Sequence, residues 1–252
     1  MRLLLDVGNS RIKWCLADAK SWQPGEPLLR GNKAFKDLAR PAWAELEAPE
    51  RVIVSNVAGE DYQKSIRTWI KRRWKIDAEF LQSSAQCCGV TNAYPIPERL
   101  GPDRWACLLA AHALYSKAVC IIDCGSAISV DALSAKGEHL GGLITPGLDM
   151  MVSAITDRAP GVSLEEPGED AVSLLGRDTA SAVRGGTLYA AVALVDRVYS
   201  DISDELGKSV IKLITGGDAE RILPLLSATP EHVPDLVLKG LNVYANEAIC
   251  AT

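Results

Sequence analysis

One turn occurs twice in this chain, and its repetition constrains the fold more than any other feature. Near the N-terminus stands Leu4-Leu5-Asp6-Val7-Gly8-Asn9-Ser10, and downstream stands Ile121-Ile122-Asp123-Cys124-Gly125-Ser126-Ala127. Each is an apolar, strand-like run that ends in Asp-x-Gly plus a small polar residue and leads into a second apolar run. Positions 6 and 123 are nearly half of the 252-residue chain apart. That spacing predicts a duplicated α/β fold of two similar halves, 1–117 and 118–252, with a cleft between them. A turn of this kind suits phosphate and metal handling. Glycine lets the backbone approach a phosphate, free N–H groups point at it, and the carboxylate holds the accompanying cation.

The rest of the chain reads as alternating strands and helices. Leu3–Val7 and Ile12–Ala17 form a hairpin around the first turn. A helical pattern covers 34–46, which Pro41 either breaks or starts, and Arg51–Val57 is a buried strand. Glu60–Trp74 is a helix with acidic residues in its first turn and basic ones in its last. Trp69 and Trp74 lie on it as core residues. Ala78–Leu81 is a short strand, and 82–102 is irregular. Pro102 is placed as the first residue of the apolar helix that runs through Trp105–Tyr115. In the second half, strands are expected at 118–123, 128–133 and within 138–148, followed by loop at 159–177. A long helix over Thr179–Leu206 is flanked by Asp178 and Gly207. A strand at 210–215, a helix at 219–226, a last short strand at 236–238 and a terminal helix complete the pattern.

Composition narrows the function classes. With 48% hydrophobic and 23% charged residues the chain has the make-up of a soluble globular protein. Its net charge of −5 argues against a nucleic-acid partner. The cluster Lys71-Arg72-Arg73 fits a solvated helix end better than a nucleic-acid patch. No apolar stretch is long enough to span a bilayer, and Asp6 interrupts any leader-like run at the N-terminus. The seven cysteines show no metal-ligand spacing, so reduced, mostly buried thiols in a cytoplasmic setting are expected. The three scattered histidines argue against a zinc site or a His-based triad. His112, His139 and the pair Cys87-Cys88 read as structural.

The chemistry concentrates at three places. In Asp6-x-Gly8-Asn9-Ser10-x-x-Lys13, Asp6 could hold magnesium beside a triphosphate, the turn could offer donors to phosphate, and Lys13 could add positive charge. Alternatively, Asp6 and Asn9 simply suit a hairpin turn. The second copy, with Asp131 further on, favours function. Thr215-Gly216-Gly217-Asp218 ends a strand and opens a helix, where glycines can pass close to a nucleotide. Asp103, at the end of the irregular segment and beside Arg104, is placed as a general base for transfer of a phosphoryl group to an alcohol. It is equally placed to cap its own helix.

With these motifs assembled, the sequence resembles the type III pantothenate kinases, members of the acetate and sugar kinase, heat-shock protein and actin superfamily. The resemblance is carried by Asp6 through Lys13, Tyr94, Gly101-Pro102-Asp103-Arg104, Asp123 through Ala127 with Asp131, Gly141 through Gly147, Thr179, and Thr215 through Asp218. It implies two ribonuclease H-like, actin-like ATPase domains and ATP-dependent phosphorylation of pantothenate, the first step of coenzyme A synthesis. It implies that Asp6, Val7, Gly8, Asn9, Ser10, Arg11, Ile12, Lys13 and Ser126 contact ATP. Tyr94, Gly101, Pro102, Asp103 and Arg104 would line the pantothenate site, with Asp103 as proton acceptor and Thr179 supplied by the second subunit of a homodimer. Asp6 would serve magnesium, and Asp123, with Asp131 nearby, a monovalent cation (K+ or NH4+). Ser126 replaces the threonine common in the family and keeps its hydroxyl. A nucleotide-binding regulatory protein of the same fold without kinase activity is the alternative; the carboxylate at Asp103 argues against it.

Overall fold

The computed structural model describes residues 1–18, 20–159, 161–162 and 175–250, with side chains through Glu247. In chain order the elements begin with β1 (Arg2–Val7), β2 (Arg11–Ala17), β3 (Trp22–Pro24), β4 (Leu28–Leu29), α1 (Phe35–Ala42), β5 (Arg51–Asn56), α2 (Glu60–Trp74), β6 (Ala78–Phe80), β7 (Gln86–Cys87), β8 (Val90–Thr91) and α3 (Pro102–Leu114). They continue with β9 (Val119–Cys124), β10 (Ala127–Leu133), β11 (His139–Pro146), α4 (Leu148–Arg158), α5 (Thr179–Leu206), β12 (Ile211–Thr215), α6 (Ala219–Ile222), β13 (Glu231–His232) and α7 (Leu236–Cys250). The loop expected at 159–177 lies largely outside the described residues.

Two compact units emerge. The first comprises Met1–Ser116, Ala135–Gly141 and Asp235–Thr252; the second comprises Lys117–Ser134 and Gly142–Pro234. The first is built on a sheet of order β3-β2-β1-β5-β6, the second on a sheet of order β11-β10-β9-β12-β13. The two orders repeat one plan. A carboxylate-bearing strand, β1 or β9, pairs antiparallel with the strand that follows its turn and parallel with the next strand on its other side. The sequence duplication is therefore also a duplication of strand topology.

The central strands of each sheet are apolar on both faces, as strands covered on both sides must be. In the first unit Leu3, Leu5, Val7, Val52 and Val54 pack with Phe35, Ile66 and Ile70. Trp43, Trp69 and Trp74 close that side in a chain of edge and tilted ring contacts, with centroids 5.1–6.2 Å apart. α2 ends on Lys75 in the left-handed region, at φ 64°. Its basic cluster is spent locally, with Lys71 on Asp77 and Arg73 on the carbonyl of Ala44. α3 crosses α7 so closely that a Cβ on Gly240 would meet the backbone of Ala106. In the second unit Tyr199 of α5 is buried among Cys120, Ile122, Val195 and Ile214, and its hydroxyl donates to the Leu213 carbonyl at 2.6 Å.

One expectation is overturned. Leu236–Leu238 is not a strand: it is the first turn of α7, which runs unbroken to Cys250. Three apolar residues in a row suit a buried strand and a buried helix start equally, because so short a run carries no period. Elsewhere the boundaries moved little. Pro41 sits inside the last turn of α1 rather than ahead of it. The helix expected at 219–226 gives way after Ile222 to a 3-10 turn over Leu223–Leu225, which holds Pro224. The small pairs β3, β4, β7 and β8 are too short to show a pattern in sequence.

Candidate functional site

In the first turn, Asp6 closes β1 and faces Lys13 of β2 in the antiparallel register. Directly opposed residues share a face of the sheet, so Asp6 and Lys13 project on the same side. Lys13 Nζ also lies 3.6 Å from Asp235 Oδ1, at the start of α7. Asp235 holds a left-handed backbone at φ 58°, unusual for a residue with a side chain. Val7 and Ile12 are buried beneath the turn. Gly8 donates its N–H to the Arg11 carbonyl at 3.0 Å, which closes the hairpin. Arg30 gathers the outward carbonyls: its Nη1 donates to Asn9 O at 3.1 Å, its own N–H donates to Ser10 O at 2.9 Å, and its guanidinium lies 4.3 Å from the Tyr62 ring centre. Arg30 and Asp235 carry no sequence signal of their own; each is brought here by the chain's return.

The segment before α3 forms a second group in the same unit. Pro102 starts the helix with Gly101 as its cap. The Asp103 carboxylate folds back so that Oδ1 accepts the N–H of Arg104 at 2.8 Å, and a Cβ on Gly101 would sit 2.5 Å from that oxygen. A side chain at Gly101 would therefore displace the carboxylate from this position. Arg104 is only 6% exposed, and its Nη1 donates to the Tyr94 hydroxyl at 3.0 Å. Tyr94 is fixed from behind. Its ring stacks on His139 with centroids 6.1 Å apart and planes 17° apart, and the Ala93 N–H reaches His139 Nδ1 at 3.4 Å. His139 is therefore a positioning residue for Tyr94, a role that a lone histidine in sequence does not display.

The second unit carries the other turn. Asp123, near the end of β9, lies between Ser129 of β10 and Thr215 of β12 in register. Gly216 has φ +98°, and a Cβ there would lie 2.5 Å from Asp123 Oδ1 and clash with the Cys124 carbonyl. The Asp218 N–H donates to that same carbonyl at 2.9 Å. The Ser126 carbonyl accepts from Gly147 at 3.0 Å, so α4 begins beside the turn with its first-turn N–H groups available to an anion. Arg221 bridges Asp218 at 3.1 Å and stands 3.9 Å from Asp149. Burial, then the charges of Asp123 and Asp218, push the Cys124 thiol well above its ordinary pKa. Asp131 is buried on the same face as Asp123 but two register pairs deeper, about 7 Å along the strand. Thr179 opens α5 behind its cap Asp178, which accepts from Ser181 N at 2.8 Å and Ser181 Oγ at 2.7 Å.

Two Asp-x-Gly turns thus stand on duplicated sheets, the first with Lys13 and Arg30 near it and the second packed against Gly147 and Gly216. The same fold is found in a Campylobacter jejuni protein described as a Baf family transcriptional activator, at TM-score 0.57 and 20% identity over 98% of this chain and 99% of that one. It is also found in the activator of 2-hydroxyisocaproyl-CoA dehydratase from Clostridium difficile, at TM-score 0.55 and 14% identity over 100% and 97%. The protein thus has the actin-like ATPase and sugar kinase fold. The sequence profile of type III pantothenate kinases matches residues 2–201, and the type III pantothenate kinase of Nitrosococcus oceani is 44% identical over 98% of this chain and 94% of its own length. The chain belongs to the type III pantothenate kinase family. Among the described residues, no helix is long and apolar enough to cross a membrane.

Proposed function

We propose that the protein transfers the γ-phosphoryl group of ATP to the primary hydroxyl of pantothenate, with Asp103 as general base. The observation that carries this reading is the Tyr94–Arg104–Asp103 constellation. A buried guanidinium, fixed by the Tyr94 hydroxyl, is the kind of group that orients a carboxylate-bearing acceptor, and the Asp103 carboxylate stands one residue away. Pantothenate has both a carboxylate and a primary alcohol, so Arg104 would orient the acceptor while Asp103 accepts the hydroxyl proton as the new P–O bond forms.

Residues 6–13 and Ser126 would hold the phosphates of ATP. The Asp6–Lys13 register supports this reading, since it puts a carboxylate suited to a cation and a lysine suited to a phosphate on one face of the sheet. Magnesium fits Asp6 and a monovalent cation fits Asp123, because both offer hard carboxylate oxygens. A side chain at Gly216 would crowd the Asp123 carboxylate. Such ions would neutralise triphosphate charge. Asp131, buried deeper in the sheet, would act on the Asp123 site through the strand rather than as a direct ligand.

We further infer a cytoplasmic homodimer whose partner supplies Thr179, with no nucleic acid bound, and a boundary between the two actin-like halves at Lys117. The dimer is supported by a run of apolar side chains left open in the second unit: Leu143, Ile144, Met150 and Ile155 are all exposed. The repeated strand order supports the boundary. The reading is tested by following phosphopantothenate formation from ATP, magnesium and pantothenate, with and without potassium. Product that needs potassium and disappears in Asp103→Asn is expected. Folded, ATP-binding protein that forms no product with any cation would sink it.

A further inference from the structure

Cys87 and Cys88 are neighbours in sequence, and the fold gives them a third companion. Cys87 ends β7 in register with Val90 of β8. The loop between the strands is Cys88-Gly89, with φ of 49° and 77°, both positive as a two-residue type I′ hairpin turn demands. Glycine and asparagine are at ease in the first of those positions; a cysteine there is a sparsely populated conformation of the kind that gathers at functional sites.

The loop is clamped from below. A Cβ on Gly89 would lie 2.8 Å from His112 Nε2, and one on Gly137 would meet the Gly89 carbonyl. The Thr91 N–H donates to the Gly137 carbonyl at 2.8 Å. Held in this way, the sulfur atoms of Cys87 and Cys88 are 3.5 Å apart, and Glu247 Oε2 of α7 is 3.8 Å from Cys87 Sγ. The three ligand atoms all lie within 4.8 Å of one another.

The two closest separations are near the edge lengths of a tetrahedron around a metal ion. Zinc–sulfur bonds of about 2.3 Å and zinc–oxygen bonds of about 2.0 Å put two thiolates about 3.8 Å apart and a thiolate about 3.5 Å from a carboxylate oxygen. Two thiolates and one carboxylate are a borderline-soft set that favours zinc over magnesium or calcium. We propose that Cys87, Cys88 and Glu247 form a binding site for a borderline divalent cation of the zinc class, with water in the fourth position, separate from the residues assigned to phosphoryl transfer. The metal would join the β7–β8 hairpin to α7, two parts of the first unit that are distant in sequence. On binding Zn2+, the two thiols release two protons, the carboxylate enters ionised, and the site carries a net single negative charge.

The test uses the full chain, reduced and stripped of metal with a chelator. Co2+ serves as optical probe and Zn2+ as competitor. Expected are a thiolate-to-cobalt charge-transfer band saturating at one equivalent, displacement by Zn2+, and release of two protons per Zn2+ in weakly buffered solution. Cys87→Ser should abolish the band, with an affinity loss beyond the about 10–100-fold that follows removal of an outer-shell partner. Glu247→Gln should retain a thiolate band but bind less tightly. If Cys88→Ser fails to fold, Cys87→Ser and Glu247→Gln still decide. A band that survives in Cys87→Ser overturns the proposal, as does reduced, folded protein that gives no band. Thiol counting that finds Cys87 and Cys88 joined in a disulfide under reducing conditions also overturns it.

Discussion

Gly216 leaves room for Asp123: with φ at +98°, it faces the carboxylate across a gap in which a single Cβ would come within 2.5 Å of Asp123 Oδ1. Two constraints meet at one position, a left-handed backbone and a space that must stay empty. The Asp218 N–H on the Cys124 carbonyl, at 2.9 Å, fixes the same loop from its far end.

Gly216→Ala is therefore expected to cost about 1–3 kcal/mol of stability from backbone strain alone. It should also displace the Asp123 carboxylate. Denaturant unfolding reads the first effect, and the cation dependence of turnover reads the second. A variant that unfolds at the parental midpoint with parental cation dependence would refute the assignment.

Asp103→Asn keeps the side chain's shape and its acceptor for the Arg104 N–H, 2.8 Å away in the parent. Folding should be unaffected. Loss of the base should lower kcat by about 10²–10⁴-fold. Thermal melting and steady-state kinetics on the same preparation separate the two effects. A fall in melting temperature that accounts for the lost activity would make Asp103 a helix cap and nothing more.

Tyr94→Phe removes the hydroxyl that accepts from Arg104 Nη1. A loss of about 1–3 kcal/mol in acceptor binding is expected, read as a raised KM for pantothenate with kcat changed less. His139→Ala should move the same constant in the same direction, since the stacked His139 ring holds Tyr94 in place. Unchanged KM values in both variants would count against this pocket.

Asp178 has a pH signature. The N–H and hydroxyl of Ser181 hold its carboxyl below the ordinary value. The folded pKa is depressed below the unfolded value of about 3.9, so the cap's contribution to α5 is complete above that value. It is lost as pH falls through the lower, folded pKa. Carboxyl-carbon NMR should show Asp178 titrating below the exposed aspartates, with the Ser181 amide shift following the same curve. An ordinary midpoint would remove the cap.

Ile144→Asp places a charge in the exposed apolar run of β11. Sedimentation should show the proposed homodimer shifting to monomer at equal concentration, with the parental circular dichroism retained. A variant that sediments as the parent does would move the subunit contact elsewhere.

The duplicated plan was legible in sequence because it rests on local chemistry. Asp-x-Gly between apolar runs specifies a hairpin through the conformational needs of glycine and the period of buried strands. Asp178 and Gly207 bracket α5 because caps answer unpaired backbone groups at helix ends. Family membership was legible for the same reason, through short motifs with fixed spacing. The start of the terminal helix was not, because Leu236–Leu238 shows no period and only packing against α3 decides its form. Nor were Arg30, His139, Asp235 and Glu247 visible as site residues. Each meets its partner only when distant segments return to one another: Arg30 to the turn at Asn9, His139 to Tyr94, Asp235 to Lys13, and Glu247 to Cys87. Local sequence determines which backbone shapes are affordable, since backbone preferences act over a few residues. Which side chains share a site depends on long-range closure of the chain, and that is settled by burial of the core as a whole.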